Sequence, residues 1–198
     1  MSEPLLLIGA STGGVDALCS ILPKFGLDCP ATIIVQHTGR GCGARLREVL
    51  QKVSAVPVDI AHDMIRARPG RIVLVAGFST HVALCSSKEK VLKPMSGHPV
   101  NGHRPSIDVL FRSAVPFGAQ VRAALLTGMG CDGAKGLLDL RNAGAFTVAQ
   151  DAATSVVYGM PKVAADAGAA LRVCPLNEIA GALLQGQSAT HAKRRVRQ

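Results

Sequence analysis

Short apolar segments alternate with longer amphipathic segments along the whole chain. Leu5–Ala10 and residues 31–35 are uninterrupted apolar runs, which is typical of strands that are buried on both faces of a parallel sheet. Residues 15–25 and Gly43–Val53 carry apolar side chains at helical spacing. This alternation predicts an α/β fold, with a doubly wound, mostly parallel sheet that is flanked by helices.

The other predicted elements extend this arrangement. Further strands are predicted at residues 72–76, 122–126 and 146–149, and further helices at 105–116, 134–143, 161–167 and 175–185. Residues 82–85 and 90–92 indicate a small antiparallel hairpin around 86–88. A chain of 198 residues fits one domain, which we expect to cover residues 1–186. The polar, basic residues 187–198 are expected to form a disordered tail.

Composition excludes several protein classes. Hydrophobic residues make up 48% of the chain and charged residues 18%, which excludes an intrinsically disordered protein. With one Tyr and no Trp, a stacking platform for single-stranded nucleic acid is not expected. The net charge of +9 becomes +5 once the four cations near the C-terminus are set aside. A moderately basic body of this kind indicates acidic partners in general, and nucleic acid is not predicted among them.

The cysteine spacing and the length of the apolar runs indicate where in the cell the protein is located. The six cysteines include no C-x-x-C pair, so neither a zinc knuckle nor a redox pair is predicted, and reduced thiols are expected. No basic segment precedes the first apolar run, so a signal peptide is not predicted. No stretch reaches the ~18 apolar residues that a membrane span requires. We therefore expect a cytoplasmic protein without membrane insertion.

The first strand runs directly into a glycine-rich turn, and a helix follows. The turn at residues 9–14, GASTGG, matches G-x-S-x-G, in which glycines allow a sharp bend that exposes a nucleophilic serine, here Ser11. A phosphate-binding turn is the alternative, although both G-x-G-x-x-G and the Walker A pattern are absent. Taken alone, the motif leaves a nucleophile and an anion-binding loop equally open.

Two more polar residues follow predicted strands. His37 comes after strand 31–35, and Asp132 lies in the loop after strand 122–126. A surface histidine and a helix-capping aspartate are the ordinary alternatives for these two residues. Functional residues of open parallel sheets gather beyond the carboxyl ends of the strands, so Ser11, His37 and Asp132 are expected to meet there. Together they would supply the nucleophile, general base and orienting carboxylate of an acyl-transfer site.

Five segments carry a resemblance to a known family. They are IGASTGG at 8–14, QH at 36–37, VNGHRPSIDVLF at 100–111, LLTGMGCDGAKGL at 125–137 and AQDAATSVVYGMP at 149–161. In sequence and in order they resemble the catalytic domain of the chemotaxis protein-glutamate methylesterase (CheB-type) family. The resemblance implies Ser11 as the nucleophile, His37 as the base and Asp132 as its partner. It also implies that the backbone N–H groups of Thr12 and Met129 are the oxyanion donors.

The resemblance further implies a function. Such a domain would hydrolyse glutamyl methyl esters on chemoreceptor-like helical proteins, and deamidate glutamine, with no metal and no cofactor. Family enzymes commonly carry an N-terminal receiver domain, whereas this chain starts four residues before its first strand, so we expect no receiver domain in it. A separate receiver-domain protein that acts in trans is left open as a partner. A non-catalytic receptor-docking module and a nucleotide- or phosphate-binding protein are the alternatives.

The sequence departs from the family pattern at several positions. The departures are Thr38 after the QH pair where Met-Pro is usual, Cys131 in place of Asn, Ala76 in a segment that replaces Pro-Gly-Asp, and Ala152 in place of an acidic residue. None of them removes Ser11, His37 or Asp132, but they bear on the rim of the site and on substrate preference. Residues 103–106 either line the site or form a helix start at Pro105.

Overall fold

A seven-stranded parallel sheet forms the centre of the protein in a computed structural model, which describes residues 3–61, 63–85 and 89–186. The strands, in chain order, are β1 (Leu5–Ala10), β2 (Ala31–Gln36), β3 (Val58–Ile60), β4 (Ile65–Arg66), β5 (Ile72–Val75), β6 (His81–Leu84), β7 (Val91–Met95), β8 (Val121–Leu125), β9 (Phe146–Gln150) and β10 (Arg172–Cys174). The central sheet has the order β10-β9-β8-β1-β2-β5-β3, and its neighbours pair in parallel. A small antiparallel sheet has the order β4-β7-β6. The predicted fold class is confirmed.

Helices cover both faces of the central sheet. They are α1 (Gly14–Ile21), α2 (Gly43–Val53), α3 (Ile107–Ser113), α4 (Ala134–Asn142), α5 (Met160–Asp166) and α6 (Leu176–Gln185). Alternate side chains of β1 enter two separate cores, because successive residues of a strand point to opposite faces. Leu6 and Ile8 pack with α1, α2 and α6, while Leu5 and Leu7 pack with α3, α4, α5 and the small sheet. This two-sided burial explains why β1 is an uninterrupted apolar run.

The structure contains short strands that the sequence pattern did not predict. The small sheet has a third strand, β4, of two residues, and both β3 and β10 have three. Elements of this length hold too few residues to show an alternating pattern. The predicted hairpin is present as β6 and β7, and its turn at 86–88 lies outside the described residues. The tail at 187–198 also lies outside them, and the domain boundary at 186 stays a prediction.

Two predicted helices have different ends in the structure. Helix α1 ends at Ile21, and Leu22–Lys24 continues as a 3-10 turn, because Pro23 has no N–H with which to extend the α-helical hydrogen bonds. The placement of Pro105 in the first turn of a helix was wrong. Ser106 is the N-cap of α3, since its hydroxyl accepts a hydrogen bond from the Val109 N–H. In the described part of the chain, no helix is long and apolar enough to cross a membrane.

Three adjacent strands of the central sheet carry the predicted site residues. β1 lies between β2 and β8, so the loops that follow these three strands start from the same edge of the sheet. From β1 the chain adds β2 and then the edge strand β3, and β5 later fills the place between those two; on the other side of β1 the chain adds β8, β9 and β10 in order. The loops on either side of β1 therefore diverge, which leaves a crevice at the carboxyl edge where they part.

Two glycines at this edge leave room for a side chain of α3. A Cβ added at Gly9 would lie 2.5 Å from Cγ2 of Ile107, and a Cβ added at Gly133 would lie 2.7 Å from the same methyl group. Gly133 also has a φ of 89°, which other residues rarely adopt. Ile107 therefore packs against the strand that leads to Ser11 and against the loop that holds Asp132, and it fixes the separation between them.

We expect Gly133→Ala to lower the free energy of unfolding by about 2–4 kcal/mol, since it combines a positive φ with a steric overlap against Ile107. The change is measured by urea unfolding. Gly181→Ala is the control, because a Cβ at Gly181 in α6 would meet nothing within 4 Å, and the helix gains up to about 1 kcal/mol. Equal effects of the two substitutions would contradict the role given to Ile107.

Candidate active site

Ser11 lies at the turn between β1 and α1. Its N–H donates to the Thr127 carbonyl at 3.0 Å, and its own carbonyl accepts from Gly14 at 2.8 Å. Gly13, with a φ of 77°, allows the chain to reverse into α1. On the other side Gly128 is required, because a Cβ there would lie 2.6 Å from Cβ of Ser11. The side chain of Ser11 is therefore held between two loops and remains half-buried.

Gln36, the last residue of β2, ties the serine turn to the histidine that follows it. Its side-chain amide donates to the carbonyl of Ser11 at 2.8 Å and to that of His37 at 2.9 Å. The N–H of His37 also donates to the Ala10 carbonyl at 3.0 Å. These bonds fix the backbones of Ser11 and His37 relative to each other. Gln36 was not predicted to have a role of its own, although a polar amide at the end of an apolar strand indicates one.

Gln150, the last residue of β9, connects the loops at Thr127 and Thr154 through its side-chain amide. Its side-chain oxygen accepts from the Thr127 N–H at 2.8 Å, and its amide donates to the Thr154 carbonyl at 2.8 Å. The hydroxyl of Thr127 then donates to the Thr12 carbonyl at 2.9 Å and accepts from the Val157 N–H at 2.9 Å. The hydroxyl of Thr127 therefore joins the Thr12 turn to the segment at Val157, and Thr127 itself begins the loop that contains Met129.

Asp132 is fully buried and surrounded by hydrogen-bond donors. His37 Nε2 lies 2.9 Å from Oδ2, and the Ile107 N–H donates to the same oxygen at 2.7 Å. Oδ1 accepts from the Ser106 hydroxyl at 2.7 Å and from the Asn101 amide at 3.1 Å. Asp132 is not the cap of the helix that follows it, since the residue at that N-cap is Gly133. Its carboxylate lies instead at the start of α3.

These donors keep the Asp132 carboxyl ionised. Burial alone would raise its pKa, but hydrogen bonds from His37, Ser106, Asn101 and the Ile107 N–H outweigh burial and lower the pKa to about 2. An ionised carboxylate only accepts hydrogen bonds, so Nε2 of His37 carries the hydrogen. Nδ1 is then the basic nitrogen of the ring, and it is buried without a hydrogen-bond partner. His37 is thus oriented to accept a proton at Nδ1.

A second buried carboxylate, Asp108, is linked to the first. The Asn101 amide donates to Asp108 Oδ2 at 2.7 Å as well as to Asp132, and so separates the two carboxylates. Asp108 also accepts from the Gly136 N–H at 2.6 Å. Burial raises the pKa of Asp108, partly opposed by the Gly136 N–H, and the charge of Asp132 raises it further. Sequence reasoning missed both Asp108 and Asn101, since neither follows a strand of the sheet.

A cleft of about 240 Å³ opens over His37. His103, Arg104 and Pro105 line it together with Thr38, so residues 103–105 line the site even though a helix starts just after them. The other departures from the family pattern lie elsewhere: Ala76 is buried, and Cys131 and Ala152 are exposed. All six cysteines are unpaired in the structure. Among the described residues, no group of three or more His, Cys, Asp or Glu side chains could hold a metal ion.

A scan against protein-family models matches residues 6–183 to the CheB methylesterase family. The chain belongs to this family. It is 42% identical over 182 residues to a protein of Agrobacterium fabrum and 46% identical over 181 residues to one of Anaeromyxobacter dehalogenans, both named protein-glutamate methylesterase/protein-glutamine glutaminase. The alignments cover 91% of this chain and 52% of each relative, so the chain spans about half the length of these curated relatives.

A solved structure has the same fold. The CheB methylesterase catalytic domain of Thermotoga maritima is similar with a TM-score of 0.88 and 31% sequence identity, and the match covers 93% of this chain and 99% of that one. The central parallel sheet, the small antiparallel sheet and the flanking helices described above are therefore those of a CheB-type catalytic domain.

We expect the loss of stability caused by Asn101→Gly to depend on pH. The ionised form of Asp132 stabilises the fold above about pH 4, and this contribution is lost as the pH falls toward 2. Loss of the Asn101 amide weakens that contribution, and it removes a donor that favours ionised Asp108. The variant should lose about 2 kcal/mol at pH 7 and progressively less as both carboxyls protonate. Glycine tolerates the φ of 52° at this position.

Urea unfolding at pH 7, 5, 4 and 3 measures this difference in stability. Asn142→Gly is the matched control, because Asn142 is an exposed residue at the end of α4. Its effect should be the same at each pH. An Asn101→Gly penalty that stays constant from pH 7 to pH 3 would contradict the assignment of Asn101 as a donor to ionised carboxylates.

Proposed function

We propose that this protein is a serine hydrolase that cleaves glutamyl methyl esters on a chemoreceptor-like protein and deamidates glutamine by the same route. The observation that carries the proposal is the buried His37–Asp132 pair, 2.9 Å apart, whose free ring nitrogen lies at the strand edge that also holds Ser11. The names of the relatives support the choice of glutamyl ester and glutamine as substrates. No step requires a metal or a cofactor.

Acylation uses Ser11, His37 and Asp132 in turn. Nδ1 of His37 takes the hydroxyl proton as Oγ of Ser11 bonds to the ester carbonyl carbon. The ring then carries a positive charge, which ionised Asp132 stabilises through the Nε2 hydrogen bond. The same proton is returned to the methoxy oxygen as the C–O bond breaks. Methanol leaves, or ammonia from a glutamine, and a glutamyl ester of Ser11 remains.

Two backbone N–H groups support the negative oxygen of the tetrahedral intermediate. The Thr12 N–H lies in the turn that the Thr127 hydroxyl holds, and the Met129 N–H follows Gly128, whose own N–H donates to the Val157 carbonyl at 3.0 Å. Within the described residues neither N–H donates to another group of the protein, so both are available to an oxyanion. Because the loops are already held in place, the donors need little reorganisation when charge develops on the oxygen.

Deacylation repeats the steps with water. His37 takes a proton from water, the resulting hydroxide bonds to the acyl carbon, and the proton passes to Oγ of Ser11 as the acyl bond breaks. Glutamate is released and the free enzyme is restored. We propose that the reaction takes place in the cytoplasm, where a separate receiver-domain protein is a candidate regulator.

Ser11→Ala should lower ester hydrolysis by at least about 10³-fold, because the acyl intermediate can no longer form. The measurements are methyl loss from a methylated receptor peptide by mass spectrometry, and labelling of the native protein by a fluorophosphonate probe. Ser20→Ala is the control, since Ser20 is an exposed serine on the next helix. It should retain full activity and full labelling.

The same experiment separates the rival functions. Absence of probe labelling and of hydrolysis in the wild-type protein would favour a non-catalytic docking module. Hydrolysis that survives in Ser11→Ala would show that the nucleophile is a different group. Thermal stabilisation of the wild-type protein by nucleotides, without hydrolysis, would favour an anion-binding role for the Ser11 turn.

A further inference from the structure

A two-residue turn outside the central sheet reaches both members of the His37–Asp132 pair. Val100 and His103 exchange backbone hydrogen bonds of 3.1 and 2.9 Å, and the two residues between them have positive φ angles, 52° at Asn101 and 79° at Gly102. Asn and Gly are the residues that tolerate this geometry best. The turn therefore has a fixed shape, and the side chains of Asn101 and His103 leave it in fixed directions.

His103 uses this position to cover one face of His37. The two imidazole rings are stacked, with centroids 3.7 Å apart and planes inclined by 7°. At that separation the rings are in full van der Waals contact, so His37 cannot turn about its Cβ–Cγ bond without striking His103. The side chain of His37 is only 7% exposed. His103 itself lines the cleft.

The two ends of the turn act on different partners. Asn101 donates to Asp132, and His103 packs on His37, so one short segment holds the carboxylate and the ring together. Burial lowers the pKa of His103, and the nearby charge of His37 lowers it further. His103 is therefore neutral at pH 7, and it does not compete with His37 for the proton from Ser11.

We propose that His103 is a positioning residue, which holds the plane of the His37 ring so that Nδ1 faces Ser11 while Nε2 stays on Asp132. This role rests on the proposed function. The ring must keep this plane in the acylation step, when it carries a proton at both nitrogens and is held by Asp132 on one side only. A flat side chain at position 103 supplies that restraint by contact, and no proton of His103 takes part.

The test compares two substitutions at position 103. His103→Ala removes the stacked ring, and its kcat for a small ester should fall by about 10- to 100-fold with little change in KM, because the base is misplaced. His103→Phe keeps a flat ring and should recover most of the lost kcat. His98→Ala is the control, since His98 is an exposed histidine just before the turn and should retain full kcat. Thermal unfolding of each variant checks that the fold is intact.

A second measurement does not depend on hydrolysis. Exchange of the His37 Nε2 hydrogen with water, followed by NMR, should be about 10-fold faster in His103→Ala than in the wild-type protein, because the uncovered ring moves off Asp132. His103→Phe should restore slow exchange. Equal exchange in all three proteins, or a Phe variant as impaired as the Ala variant, would overturn the proposal. A wild-type protein that hydrolyses no ester would overturn the proposed function, whereas the exchange measurement would still show whether His103 restrains the His37 ring.

Discussion

A single buried carboxylate organises the functional edge of this protein. Asp132 is out of contact with water, and an ionised carboxyl group is stable there only if both of its oxygens accept hydrogen bonds. The donors come from the loop after β2, from the turn at 100–103 and from the start of α3. Three segments that are distant in sequence are therefore drawn to one point. The orientation of His37 is a consequence of that convergence.

The sheet and its connections supply the second constraint. Beyond the ends of the strands, backbone pairing between neighbours stops. The side-chain amides of Gln36 at the end of β2 and Gln150 at the end of β9 supply hydrogen bonds to the loops there. Gln36 fixes the backbones of Ser11 and His37, and Gln150 fixes Thr127, which in turn anchors two loops. Buried amides suit this task because each offers donors and an acceptor on one rigid group. The loops are thereby positioned before any substrate arrives.

Much of the fold and part of the site could be predicted from local sequence. Uninterrupted apolar runs identified the long strands, and polar residues at the ends of β1 and β2 and in the loop after β8 identified the residues at the carboxyl edge. Asn101 and Asp108 were beyond that reasoning, and residues 103–106 were left between lining the site and starting a helix, because the contacts of all these residues depend on how α3 and the turn before it pack against the end of β8. The two- and three-residue strands were missed for a different reason, since they are too short to carry a periodic signal.

The packing of Ile107 between Gly9 and Gly133 has a consequence for how such sequences diverge. One methyl group occupies the space that a side chain at either glycine would need. A larger residue at Gly9 therefore requires a smaller residue at 107, and the smaller residue would change the spacing between the serine turn and the aspartate loop; at Gly133 the φ of 89° and the Leu125 methyl group restrict the position further. Positions 9 and 107 are therefore sterically coupled, and related sequences that change one of them should also change the other.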